Sequence, residues 1–166
     1  MNPGQRYVQL YEELWQLCKS QTWGDPFSYA RSREIHLAVT LGHTIAQKFA
    51  GPDGHETDGT AVEYKTTTTN KICGTYNGIS VHDTWEKQLD YLKTKKIGCY
   101  KWHYIARYND DKIVEIWRLS GDKVMEILEP KLNKQWHSEK KRKDPRLGAQ
   151  LTSRDITTFG EKINIP

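Results

Sequence analysis

Helical periodicity dominates the first third of the chain. Over residues 4–19 apolar side chains recur every three or four residues, which predicts an amphipathic helix. The pair Asp25-Pro26 supplies a cap and a first-turn proline for a second helix, expected to run to about Phe49. The stripe of the first helix fits either the protein core or a dimer face, and it comprises Tyr7, Leu10, Tyr11, Leu14, Trp15 and Cys18.

A strand-like alternation follows in residues 52–65 and predicts a β-hairpin. Thr57-Asp58-Gly59 fits a three-residue loop, with Gly59 at the left-handed position that such loops need. A loop of this length pairs Glu56 with Thr60 across the two strands. The register of every other pair in the hairpin follows from this one.

The predicted register places Asp53 opposite Glu63, with Cβ atoms about 5 Å apart. Glu63 and Lys65 share one face because side chains alternate along a strand. Carboxylates this close repel each other unless a cation lies between them, and hard oxygen ligands suit Mg²⁺. A lysine beside them can contact a metal-bound water or a phosphate. A two-residue turn would instead place Asp53 opposite Tyr64, and a solvated hairpin with ordinary surface charges fits the same spacing.

Glu34 borders the buried face of the second predicted helix. A carboxylate in that position needs a partner. It is an accessory acid of the metal site, the partner of Arg31 or Lys65 in an ion pair, or a side chain exposed near a frayed first turn.

The remaining pattern completes an α/β domain. An Asn-, Gly- and Ser-rich stretch at 70–83 is typical of a binding loop or small hairpin. The order of elements predicts a central mixed β-sheet flanked by helices. After the loop we expect a helix to about 96, a hairpin over 97–119, a short helix over 122–128 ended by Pro130, a strand over 147–152 and a polar tail to 163.

The 166 residues are long enough for one domain with a real core. The longest apolar runs are too short to cross a membrane, and no signal peptide is evident, so we expect no membrane partner. Cys18, Cys73 and Cys99 lack the spacing of a metal site. They indicate reduced thiols and a cytoplasmic protein.

Positive charge is concentrated near the C-terminus. Residues 131–146 carry seven Lys or Arg and two acidic residues, a local charge of +5, which leaves −1 for the rest of a chain of net charge +4. A basic segment on a nearly neutral body indicates a polyanionic partner, nucleic acid first, although a solvated basic loop has the same composition.

These features together resemble the PD-(D/E)XK nuclease family, and within it the PvuII-like type II restriction endonucleases. The likeness lies in a helix with Glu34, then Pro52-Asp53, then Glu63-Tyr64-Lys65 on a strand. Further similarity extends over Gly51–Thr66 without a gap, at Ile116-Trp117-Arg118-Leu119, and around Trp136 and Pro145 in the basic stretch. It covers roughly residues 50–163.

The resemblance implies a restriction-endonuclease-like fold and a type II restriction endonuclease. Asp53 and Glu63 would bind Mg²⁺ (Mn²⁺ can substitute), and Lys65 would position the attacking water, with Glu34 as the accessory acid. We expect one nuclease domain over 1–166: a helical part with a dimer face over 1–50, a catalytic core over 51–120 and a basic DNA-contacting part over 121–166. Double-stranded DNA is the expected partner, cut by a homodimer whose host DNA a cognate methyltransferase protects.

Three other functions are alternatives to a restriction endonuclease: a Holliday-junction resolvase, a non-catalytic DNA-binding protein, and a ribonuclease or toxin. The chain departs from the family pattern at Gly54-His55-Glu56, where apolar strand residues are usual; this leaves Asp58 as a rival metal ligand. The family's base-reading histidine run is also not reproduced.

The expected DNA contacts divide into base-reading and phosphate-binding groups. The residues expected to face bases are Asn70, Asn77, Ser80 and His82. Those expected to contact phosphates are Lys134, Lys140, Lys141, Arg142, Lys143 and Arg146.

Overall fold

A computed structural model describes residues 2–47, 50–138 and 143–165 of the protein. The helices are α1 Pro3–Ser20, α2 Arg31–Leu41, α3 Trp85–Tyr91, which continues as a π-helical turn Leu92–Lys96, α4 Gly121–Trp136 and α5 Ser153–Phe159. The strands are β1 Thr44–Ile45, β2 Gly54–His55, β3 Ala61–Thr67, β4 Gly74–Ile79, β5 Trp102–Asn109, β6 Lys112–Ser120, β7 Leu147–Leu151 and β8 Glu161–Ile163. No helix of the described segments has both the length and the apolar character needed to span a membrane.

A mixed sheet of six strands lies at the centre, in the order β1-β2-β3-β5-β6-β8. β3 and β5 are parallel, and the other neighbouring pairs are antiparallel. The crossover between β3 and β5 contains β4 and α3, and β4 pairs with β7 in a separate two-stranded sheet. The predicted α/β class with a mixed central sheet and flanking helices is confirmed.

Buried side chains form two clusters, one on each face of the central sheet. One contains Ile105 and Leu119 with Leu128 of α4, and the other contains Tyr64 and Tyr104 with Leu37 of α2. Alternation along β3 and β5 explains the division, because residues of even and odd number point to opposite faces. The carboxylate of Glu63 therefore belongs to the face that α4 covers.

The second helix is shorter than predicted. It begins at Arg31, because Asp25 accepts a hydrogen bond from the Phe27 backbone at 2.8 Å within a turn and caps no helix. It ends at Leu41, because Gly42 adopts a left-handed conformation (φ 70°) that terminates helices. The predicted end at Phe49 lies outside the described residues.

The C-terminal third is more regular than predicted. α4 passes through Pro130 and continues to Trp136, because Leu132 is fully buried and extends the apolar stripe of Leu128. The polar tail contains α5 and β8 in place of irregular chain. The strand expected from residue 97 starts only at Trp102, and the segment 70–83 provides a strand, β4, and no hairpin.

The aromatic stripe of α1 is exposed. Tyr7 is 70% exposed and Trp15 37%, and the helix buries only Cys18. Phe27 stacks on Tyr11 with ring centroids 4.3 Å apart. The core interpretation of this stripe is therefore wrong for the single chain, which leaves the dimer face as a prediction.

The start of α4 provides a stability prediction. Ser120 is the N-cap, and its hydroxyl accepts a hydrogen bond from the Lys123 backbone at 3.2 Å. We expect Ser120→Ala to lower the free energy of unfolding by about 1 kcal/mol in a urea titration. Ser20→Ala, at the exposed end of α1, is the matched control and should change it by less. Equal losses in the two variants would contradict the capping role.

Candidate active site

The hairpin has the predicted register. Gly54 pairs with Val62, and the Glu56 backbone donates to the Thr60 carbonyl at 2.9 Å. Gly59 adopts the left-handed conformation, with φ 86°. The Asp53 backbone donates to the Val62 carbonyl at 3.0 Å, which extends the same pairing by one step. Asp53 therefore lies opposite Glu63, as the three-residue loop requires.

Hydrogen bonds hold the three polar side chains of the site around β3. The Lys65 ammonium donates to Oε1 of Glu63 and to the Tyr64 carbonyl, the latter at 3.2 Å. Oδ2 of Asp53 accepts from the Tyr64 backbone at 2.8 Å. Only 13% of the Glu63 side chain and 20% of the Lys65 side chain are exposed. The charges thus lie in a partly dehydrated niche where their mutual effects are strong.

The electrostatic field of this niche disfavours two negative charges. Burial and the nearby Glu63 carboxylate raise the pKa of Asp53 from 3.8 to about 8, against a smaller opposing effect of Lys65. Burial alone would lower the pKa of Lys65, but Glu63 and Asp53 outweigh it and raise that pKa above its ordinary value. One ammonium is therefore insufficient to neutralise the pair of carboxylates.

The donor set fits a hard divalent cation. Among the residues that the structure describes, Oδ1 of Asp53 accepts no hydrogen bond. The same residues contain no group of three or more His, Cys, Asp or Glu that could form a complete cage. Mg²⁺ is commonly held by one or two carboxylates and keeps several waters, so Asp53 and Glu63 suffice for it.

Glu34 forms an ion pair with Arg31, with a separation of 3.3 Å. Arg31 is only 3% exposed, and it also donates to the carbonyls of Trp23, at 2.6 Å, and Ala46. The Ala46 backbone donates to the Asp53 carbonyl at 3.1 Å. Glu34 is close enough to contribute to the raised pKa of Asp53. The ion-pair alternative for Glu34 is confirmed, and its role as an accessory acid stays a prediction.

Asp58 has the role of a turn cap. Its Oδ1 accepts from the Thr60 backbone at 2.9 Å, and this bond lowers its pKa. The residue is exposed and lies at the loop between β2 and β3. The rival ligand therefore already has a structural function away from Glu63.

The polar strand Gly54-His55-Glu56 fits its surroundings. A Cβ atom at Gly54 would lie 2.5 Å from the Tyr64 hydroxyl oxygen and 2.9 Å from the Thr44 carbonyl oxygen. Oε1 of Glu56 accepts from the Tyr104 hydroxyl at 2.5 Å. Tyrosines of the central sheet thus account for Gly54 and Glu56 in this strand.

Tyr76 and His103 lie beside the site and were not predicted from the sequence. The Tyr76 hydroxyl and Nδ1 of His103 are 2.8 Å apart, and the Lys65 ammonium lies 5.0 Å from the centre of the Tyr76 ring. Burial lowers the pKa of His103 to about 4, despite the nearby Glu63, so its imidazole is neutral at pH 7. Tyr76 falls in the segment interpreted as a loop, and no spacing in the sequence connects it with residue 103.

The predicted base-reading residues differ in their surroundings. Asn70, Asn77 and Ser80 are exposed. The His82 ring packs against Tyr91 with centroids 4.7 Å apart, and its Nε2 is buried with no partner among the described residues. The first three can reach a ligand without rearrangement, whereas His82 would first have to leave Tyr91.

The predicted phosphate contacts are only partly described. Lys134 and Lys143 are exposed, and Arg146 forms an ion pair with Asp144 at 2.8 Å. The predictions for Lys140, Lys141 and Arg142 lie outside the described residues.

No protein-family model matches the chain, and no curated protein matches it significantly.

Proposed function

We propose that the chain is a Mg²⁺-dependent endonuclease of double-stranded DNA, acting as a type II restriction endonuclease with the fold of that family. One observation carries the proposal: Asp53 faces Glu63 across a hairpin, with Lys65 on the same strand face. The pKa of about 8 at Asp53 supports it, because such an acid pair needs a cation.

The residues have separate roles in this proposal. Asp53 and Glu63 would hold the metal through carboxylate oxygens. Bound Mg²⁺ (or Mn²⁺) supplies charge neutralisation at the scissile phosphate and a lower pKa for the attacking water. Lys65 donates a hydrogen bond to the phosphate oxygen that gains charge in the transition state.

Duplex cleavage favours two copies of the site. One site cuts one strand, so a C2 homodimer is suited to a symmetric target. The exposed stripe of α1 offers an apolar surface for such a dimer. The proposal also implies a DNA methyltransferase that protects the host DNA.

Digestion of a sequenced plasmid with Mg²⁺, followed by mapping of the ends, tests the function. Discrete fragments with constant ends support a restriction endonuclease. Cleavage of a four-way junction alone would favour a resolvase, and degradation of RNA alone a ribonuclease. If no nucleic acid is cut with Mg²⁺ or Mn²⁺, the enzyme proposal is wrong and a DNA-binding protein remains.

Salt dependence of DNA binding tests the basic segment. Each lost phosphate contact should reduce the slope of log K against log salt by about 1. We expect this reduction for Lys134→Ala and for Lys143→Ala, measured by fluorescence anisotropy between low and moderate salt. Lys112→Ala, at the opposite end of the β5–β6 hairpin from the site, is the control and should leave the slope unchanged. Unchanged slopes in all three variants would remove residues 134 and 143 from the interface.

A further inference from the structure

The Lys65 ammonium has a neighbour outside the central sheet. Besides Glu63 and the Tyr64 carbonyl, it faces the ring of Tyr76, 5.0 Å from the centroid. A cation at this distance from an aromatic face is attracted by the ring quadrupole. Tyr76 belongs to β4, in the small sheet, so the contact joins two sheets across the site.

A buried hydrogen bond fixes the Tyr76 ring. Tyr76 is 3% exposed and His103 0% exposed, and their polar atoms are 2.8 Å apart. Nε2 of His103 lies 3.0 Å from the Ile97 carbonyl, which can only accept, so Nε2 carries the hydrogen. Nδ1 of the neutral ring is then an acceptor, and the Tyr76 hydroxyl donates to it. Rotation of the tyrosine would leave both polar groups buried without partners, which is costly.

The hydrogen-bond network ends at the Ile97 carbonyl, which follows the π-helical turn after α3. The π-helical turn Leu92–Lys96 ends at Ile97, whose backbone donates to the Leu92 carbonyl at 2.8 Å. π-Helical turns are rare and occur frequently at functional sites. Here the turn leaves the Ile97 carbonyl available to His103.

We propose that Tyr76, locked by His103, is a positioning residue that holds the Lys65 ammonium beside Glu63. Lysine has a flexible four-carbon stem, and a fixed ring on one side limits where its charge can lie. This inference rests on the proposed function, in which Lys65 acts on the scissile phosphate. Misplacement of that charge weakens an interaction made in the transition state, so kcat should fall while KM stays constant.

Two substitutions distinguish the effect of the Tyr76 ring from that of its hydrogen bond to His103. Tyr76→Phe keeps the ring and loses the bond to His103, and we expect kcat to fall by about 3- to 10-fold. Tyr76→Leu loses the ring, and we expect a fall of about 30- to 100-fold, with KM unchanged in both variants. Tyr108→Phe is the matched control: it removes the hydroxyl of a tyrosine that is also 3% exposed, bonded to the Arg33 carbonyl at 3.1 Å on the other face of the sheet. It should leave kcat unchanged.

Proton NMR of the metal-free protein gives a readout that does not require cleavage. The Lys65 side-chain protons near the Tyr76 ring should resonate upfield, and Tyr76→Leu should abolish this shift while Tyr108→Phe preserves it. Absence of the shift in the wild type, or an unchanged kcat in Tyr76→Leu, overturns the positioning role. A wild type that shows the shift and cuts no nucleic acid overturns the proposed function and leaves the contact established.

Discussion

Asp53→Asn is expected to lower DNA cleavage at least about 1,000-fold, since Asp53 is a metal ligand in the proposed function and such a ligand contributes several kcal/mol of transition-state stabilisation. The amide keeps the shape of the side chain and can still accept from the Tyr64 backbone. It removes the negative charge that would attract the proposed cation. Single-turnover plasmid cleavage measures the loss, and a gel-shift assay should show DNA binding changed by no more than about 2-fold.

Asp58→Asn is the matched control for this experiment. It removes one carboxylate from the same hairpin, but from the exposed cap of the turn, where it accepts from Thr60. We expect cleavage close to that of the wild type. The opposite result, with Asp58 essential and Asp53 dispensable, would show that the metal ligand had been assigned to the wrong acid.

Asp53→Asn is also expected to stabilise the metal-free protein, by about 1–2 kcal/mol at pH 8–9, a value reduced for the partial solvent contact of the side chain. The folded protein holds a proton on Asp53 up to about pH 8, whereas the ordinary pKa is 3.8. Between these values the folded state binds more protons than the unfolded state. The contribution of Asp53 to stability is therefore complete below about pH 4 and is lost as pH rises through 8.

Urea unfolding at pH 5 and pH 9 measures this difference. The wild type should lose more stability than Asp53→Asn between the two values. Added Mg²⁺ should stabilise the wild type at pH 8, by about 2.7 kcal/mol at a concentration 100 times its Kd, and should have little effect on the variant. If Mg²⁺ stabilises both proteins equally, it binds elsewhere.

Local sequence information was sufficient for the β2–β3 hairpin. The loop Thr57-Asp58-Gly59 specifies its own conformation, because Gly59 takes a left-handed φ at little cost. Once the loop length is set, the pairing of Asp53 with Glu63 follows without tertiary information. The cap of α4 is also local, because Ser120 accepts from the backbone of Lys123, three residues further along the chain.

Features decided by distant partners could not be predicted. α4 continues through Pro130 because Leu132 finds a buried position, and burial is not visible in the local pattern. The polar residue Glu56 is stabilised in the hairpin because Tyr104, far along the chain, donates to it. Tyr76 became part of the site only through the pairing of β4 with β7.

The pairing of β4 with β7 sets the order in which the site can assemble. Gly74 pairs with Leu151 and Ile79 with Leu147, so the small sheet joins segments far apart in sequence. Contacts of long sequence separation form late and slow folding. During synthesis the β2–β3 hairpin can form early, but β4, which carries Tyr76, has no partner strand until residues 147–151 have left the ribosome. In the nascent chain, Asp53, Glu63 and Lys65 are therefore in place well before Tyr76 packs beside them.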